Sequence, residues 1–158
     1  MEFLSWIENS PFPTWVRTTP SIWGYSIILF AHTIGFATVV GLSTVVNLRL
    51  LGFARRLPVA PLERFFPIIW AGFWINAASG AVLFAADATT KVTNPVFGIK
   101  MALVALAVCD TILLQRIVFR DAKIERSISP LGKCLATASL VLWFGVTTAG
   151  RLMTYFDK

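Results

Sequence analysis

The sequence predicts an all-α membrane protein: a four-transmembrane-helix bundle preceded by a short N-terminal interfacial helix. Three observations carry this. Of 158 residues, 56% are hydrophobic and only 14% are charged, where a soluble domain averages about 45–50% apolar and about 25% charged. Mean hydropathy is +0.73. Four apolar stretches, roughly 21–46, 65–86, 96–119 and 131–150, each reach the span of about 20 residues that a bilayer requires. Together these exclude a disordered chain, an ordinary soluble enzyme and a nucleic-acid-binding domain. The excess of 14 Lys and Arg over 8 Asp and Glu does not point to nucleic acid, because the basic residues cluster between the apolar runs. Residues 1–158 read as one integral membrane domain.

The segment 2–19 comes first. Phe3, Trp6 and Ile7 recur at helical spacing, and Trp15 follows Pro11 and Pro13. A short helix on the outer interface fits, with tryptophans at headgroup depth. An ordered but irregular strap is the plainer alternative. Met1-Glu2-Phe3-Leu4 has no positive n-region, and no A-x-A site follows, so no cleavable signal is evident.

Breakers separate the four spans: Pro58 and Pro61, then Asn94-Pro95, then Ser129-Pro130. Asn94-Pro95 reads as a helix start, since proline near the first turn lacks only an N–H that has no partner there. Two cysteines, Cys109 and Cys134, both lie in apolar runs and make no disulfide framework.

Orientation follows from the basic residues. The first loop carries Arg49, Arg55, Arg56 and Arg64 against Glu63. The third carries Arg120, Lys123, Arg126 and Lys133 against Asp121 and Glu125. The second loop has Lys91 and Asp87, and at the ends Arg17 and Lys158 are balanced by Glu2, Glu8 and Asp157. Loops one and three are therefore expected in the cytoplasm, with both termini in the periplasm of a bacterial inner membrane.

Polar side chains within spans are costly and hence functional candidates. His32, the only histidine, reads as lying about half way down the first span. Its plainer account is a hydrogen bond across to a neighbouring helix. Gly72, Asn76 and Gly80 recur every four residues on the second span, with Ser79 beside them. This puts two notches and an amide on one face, as a packing seam or as room for a flat cofactor. Lys100 and Arg151 sit near the outer ends of the third and fourth spans. Lys100 can snorkel to the headgroups, and an anionic group between the helices would satisfy both cations; a lipid phosphate is the simplest. Asn47, Arg49, Asp110, Gln115 and Arg116 lie toward the cytoplasmic side. Asp110 is expected to pair with Arg49 or Arg116, because an unpaired carboxylate there is prohibitive. That layer reads as structural, with a proton path as its alternative. No glycine-rich phosphate loop, Cys-x-x-Cys or paired-histidine motif is present. The soft ligands Met101, Met153, Cys109 and Cys134 are scattered in depth, a weak pattern for copper.

Ile7-Glu8-Asn9-Ser10-Pro11, the run from His32 through Gly41 to Asn47-Leu48-Arg49-Leu50-Leu51-Gly52, and Ala149-Gly150-Arg151 resemble an uncharacterised family of small bacterial four-helix inner-membrane proteins. The resemblance covers nearly the whole chain; that family commonly has an aspartate at the position of Asn47. A more distant likeness is to copper-resistance D membrane domains and to HemJ-like haem-binding proteins, which share an early histidine and a Phe-x-x-x-Lys element. His32 and, with shorter spacing, Phe97-Gly98-Ile99-Lys100 occupy the matching positions.

That likeness implies b-type haem and electron transfer. His32 would be the iron ligand, Lys100 and Arg151 would meet the propionates, and the Gly72-Asn76-Gly80 face would receive the macrocycle. One histidine cannot form a bis-histidine site, so the iron is five-coordinate, uses Lys100 or a methionine, or sits between two chains. Two other functions stay open: a cofactor-free membrane anchor or stabilising subunit, and transport of copper or a small solute. Expected partners are membrane lipids and either further copies of the chain or a larger membrane complex.

Overall fold

The computed structural model describes residues 2–19, 23–120 and 128–156. Asp121, Lys123, Glu125 and Arg126 of the third loop, with Ser21, Asp157 and Lys158, lie outside the described residues. Every regular element is helical: α1 (Glu2–Glu8), α2 (Pro11–Thr18), α3 (Tyr25–Leu50), α4 (Phe65–Ala86), α5 (Ala88–Thr93), α6 (Pro95–Leu113) and α7 (Pro130–Phe156). A 3-10 turn, Ala60–Arg64, leads into α4, and a π-helical stretch, Leu114–Val118, prolongs α6. The described residues thus form an all-α bundle, and four of its helices are long and apolar enough to cross a membrane.

Strong stop signals set some ends where the sequence places them. Asn94 caps α6 through its side chain, which accepts from the Val96 N–H at 2.9 Å, and Pro95 follows at the first helical position. α4 occupies 65–86 as expected. The first span is displaced, running 25–50 instead of 21–46. Nothing between Val46 and Leu50 breaks a helix, and the stop comes at Gly52. Its φ of 100° suits glycine, and the Phe53 N–H reaches back to Leu48 O at 3.0 Å. The fourth span is longer than expected, because no breaker stops it before Phe156. Segment 2–19 is two short helices joined at Ser10.

α3 packs against α4 and α7, and α6 packs against α7. α4 and α6 do not pack along their length. They meet at their ends: Phe84 stacks on Phe97 at 5.4 Å near the chain termini, and Phe66 meets Phe119 edge-on at 5.0 Å near the loops. At that loop end Trp70 Nε1 also donates to Gln115 Oε1 at 3.1 Å. Most of the apolar core, including Val46, Leu50, Phe66, Leu114 and Val118, lies in this loop half, and it continues along α7 to Trp143 and Val146. Large apolar side chains such as Phe30, Trp74, Val141 and Phe144 face outward, the surface a lipid-embedded bundle presents.

At the terminal end α1 and α2 are fastened down. Glu8 accepts from the Thr89 N–H at 3.1 Å and hydroxyl at 2.7 Å, and Arg17 donates to Glu8 at 2.9 Å and to Ala86 O at 3.4 Å. A carboxylate thus meets the start of α5, and a cation meets the end of α4, as helix dipoles favour. Phe3, Trp6, Phe12 and Trp15 remain exposed.

Candidate functional site

Gly35 on α3 faces Gly72 on α4, and this contact builds the site. A Cβ at Gly35 would lie 2.7 Å from Gly72 O and 2.8 Å from Asn76 N. Only glycine allows that backbone-to-backbone approach, the device by which membrane helices pack closely. One turn away, it brings His32 onto α4.

His32 Nδ1 lies 2.9 Å from Asn76 O and 3.2 Å from Ser79 Oγ. A carbonyl only accepts, so Nδ1 carries the proton and, in the neutral ring, Nε2 holds the lone pair. The Ser79 hydroxyl donates to Ile75 O at 2.6 Å, which leaves its oxygen free to share the Nδ1 proton. Asn76 Nδ2 donates in return to His32 O at 2.9 Å and touches Nε2 at 3.4 Å. Gly80 makes room for the ring: a Cβ there would lie 3.0 Å from His32 Cε1.

Three expectations are corrected here. The glycine face of α4 is not an empty slot for a macrocycle, because α3 fills it at Gly72 and the His32 ring fills it at Gly80. His32 is not half way along its helix; it is seven residues into α3, about 10 Å from the start. Asp110 is buried, yet among the described residues it pairs with neither Arg49 nor Arg116. Arg49 is turned to its own loop, where Nε donates to Leu57 O at 2.5 Å and Nη2 to Arg55 O at 3.3 Å. Arg116 is exposed.

Of the four expected site residues, His32 and Asn76 are hydrogen-bonded. Lys100 is half-buried on α6 and within electrostatic reach of His32, although Lys91 is also within its range. Arg151 lies on the exposed face of α7. Cys109 and Cys134 are both exposed, and among the described residues no three His, Cys, Asp or Glu side chains gather around a metal position. Gly35 was not singled out from sequence; Ala31 and Gly35, spaced four apart, are the small-residue signal that marks it. No protein-family model, curated protein or solved structure matches the chain.

Proposed function

We propose that His32 ligates b-type haem and that the protein is an electron-transfer component of a bacterial inner membrane. One observation carries the reading: the Nδ1–H bond to Asn76 O fixes the tautomer whose Nε2 can bind a metal. Ligating histidines are usually oriented this way, by a second-shell acceptor on the other nitrogen. The residues present fit one axial bond. Lys100 is the cation within reach for a propionate, and the half-buried ring lies in the terminal half of the bundle, between the two ends at which α4 and α6 meet. Bound haem would supply one-electron redox chemistry, and Lys100, a methionine or a second copy of the chain could furnish a further ligand.

Visible absorption tests this. Protein produced with ample haem should show a Soret band, His32→Ala should insert without it, and Lys100→Ala should keep the iron at a shifted potential. A colourless wild type overturns the proposal.

A second reading is favoured by the closed Gly35–Gly72 contact, which commits His32 and Asn76 to packing. The protein is then a cofactor-free anchor or stabilising subunit. Co-purification of a larger membrane partner with colourless protein supports it. Under either reading the chain self-associates or joins a complex, so native mass in mild detergent should exceed the monomer.

A further inference from the structure

Hydroxyls within these spans ordinarily bond back to the carbonyl one turn earlier, as Thr38, Thr44, Thr111 and Thr147 do at 2.7–2.8 Å. Ser43 on α3 and Ser139 on α7 do not. Both are more than nine-tenths buried, and their Oγ atoms have no hydrogen-bond partner. The same holds for Asn47 Oδ1, Asp110 Oδ2 and Trp143 Nε1. Buried polar groups without partners are rare and each requires an explanation.

These five fall on the helices that pack together, α3 with α7 and α7 with α6, and the Ser139 hydroxyl faces the Asp110 carboxyl. Measured along each helix from the loop end, they form a progression. Asn47 lies about 5 Å in, Ser43 about 10 Å, Asp110 about 12 Å, Ser139 about 14 Å and Trp143 about 20 Å. In depth the five span from near the loop face to the middle of the bundle. They lie on the far side of the midplane from His32 and are independent of the haem reading.

Among the described residues no charge pairs with Asp110. Among the described residues, Arg49 on α3 is engaged with its own loop, Arg116 after α6 and Lys133 and Arg151 on α7 are exposed, and α4 carries no ionisable side chain. Lys100 on the same helix is ten residues away, about 15 Å. The unsatisfied set mixes donors and acceptors. The Trp143 N–H can only donate, Asn47 Oδ1 can only accept, and the two serines do either. A bare metal ion has no use for an indole donor. Water suits both kinds and bonds to 2–4 such groups when buried.

We propose that Ser43, Asn47, Asp110, Ser139 and Trp143 line a chain of internal water, and that Asp110 is a proton-binding site filled through it from the loop face. The step is simple. A hydronium in that water chain gives its proton to the Asp110 carboxylate, leaving water and a neutral carboxyl; release is the reverse. Intramembrane carboxylates with polar relays serve this purpose in other proteins.

Infrared spectroscopy of the full chain in liposomes tests it. The difference between wild type and Asp110→Asn should contain one protonated-carboxyl stretch that comes and goes with pH and moves to lower frequency in D2O. Asp110→Glu should move the band without removing it, which protects the result if Asp110→Asn does not fold. Asn47→Leu should slow the D2O shift. The proposal is overturned if no such band exists at any pH, if it never exchanges, or if sodium suppresses it at fixed pH where choline does not. The last outcome would make this a sodium site.

Discussion

His32 and Asn76 hold each other's backbones. The imidazole Nδ1 donates to Asn76 O and the Asn76 amide donates to His32 O, both at 2.9 Å. The pair crosses from α3 to α4 one turn from the Gly35–Gly72 contact. Glycines without polar bonds would let the helices slide, and polar bonds without glycines could not come within reach. The seam therefore fixes both the separation and the register of the first helix pair. It also immobilises the imidazole, and any chemistry at Nε2 would need that.

Asn76→Ala removes one of these bonds, and the expected cost is about 1 kcal/mol, the scale of interhelical hydrogen bonds in membranes. His32→Ala and Asn76→Ala should be non-additive, because the two side chains also touch, with Asn76 Nδ2 3.2 Å from His32 Nδ1 and 3.4 Å from Nε2. Reversible unfolding in mixed micelles measures the double-mutant cycle. Additive effects would mean that the two bonds act separately.

Gly35→Ala should be far worse than Gly41→Ala. A Cβ at Gly35 meets backbone atoms at 2.7 and 2.8 Å, whereas one at Gly41 meets nothing within 4 Å. Backbone cannot rotate away as a side chain can, so α3 and α4 must separate, at roughly 1–3 kcal/mol for overpacking. Gly41→Ala should be neutral or slightly favourable on helix propensity. The same unfolding assay compares the two variants, and similar midpoints would contradict the close approach.

The four spans were legible because apolar length and flanking breakers are local properties; Asn94-Pro95 marks its helix start outright. The start and end of α3 were not. Asn47 and Arg49 look like the end of a span, yet Asn47 is buried and the helix continues until Gly52 can take its positive φ. His32 and Asn76 stood out as polar residues in apolar runs, but their bonding and the importance of Gly35 depend on which faces meet. The expected pairing of Asp110 with an arginine failed for a related reason. Charge alone selects a partner, whereas Arg49 is consumed by carbonyls eight and six residues along its own loop, a geometry no composition reveals.

A reporter fused to the C-terminus that is active only in the cytoplasm should stay silent. At the terminal end Arg17 pairs with Glu8 at 2.9 Å and Lys91 with Asp87 at 3.5 Å. At the loop end Arg55, Arg56 and Arg64 face only Glu63 in sequence, and no ion pair forms there among the described residues. Short loops rich in Lys and Arg are expected on the cytoplasmic side. A strong cytoplasmic signal from the C-terminus would reverse the topology.

Acid should loosen the N-terminal helices. Hydrogen bonds from the Thr89 hydroxyl and N–H, then Arg17, hold the Glu8 carboxyl below the usual carboxylate value. For a depressed acid, the stabilisation is fully present above the unfolded value and is lost as pH falls through the lowered folded value. Protonated Glu8 gives up acceptor strength toward Thr89 and its ion pair with Arg17, so α1 loses its hold on α5, and Arg17 is left with only Ala86 O at 3.4 Å. Hydrogen exchange across residues 2–18 should therefore rise on acidification while α3 to α7 stay protected. Glu8→Gln mimics the protonated acid without titrating. Its exchange should be fast already at neutral pH and flat below it. If the variant keeps the wild-type pH dependence, another group controls the release.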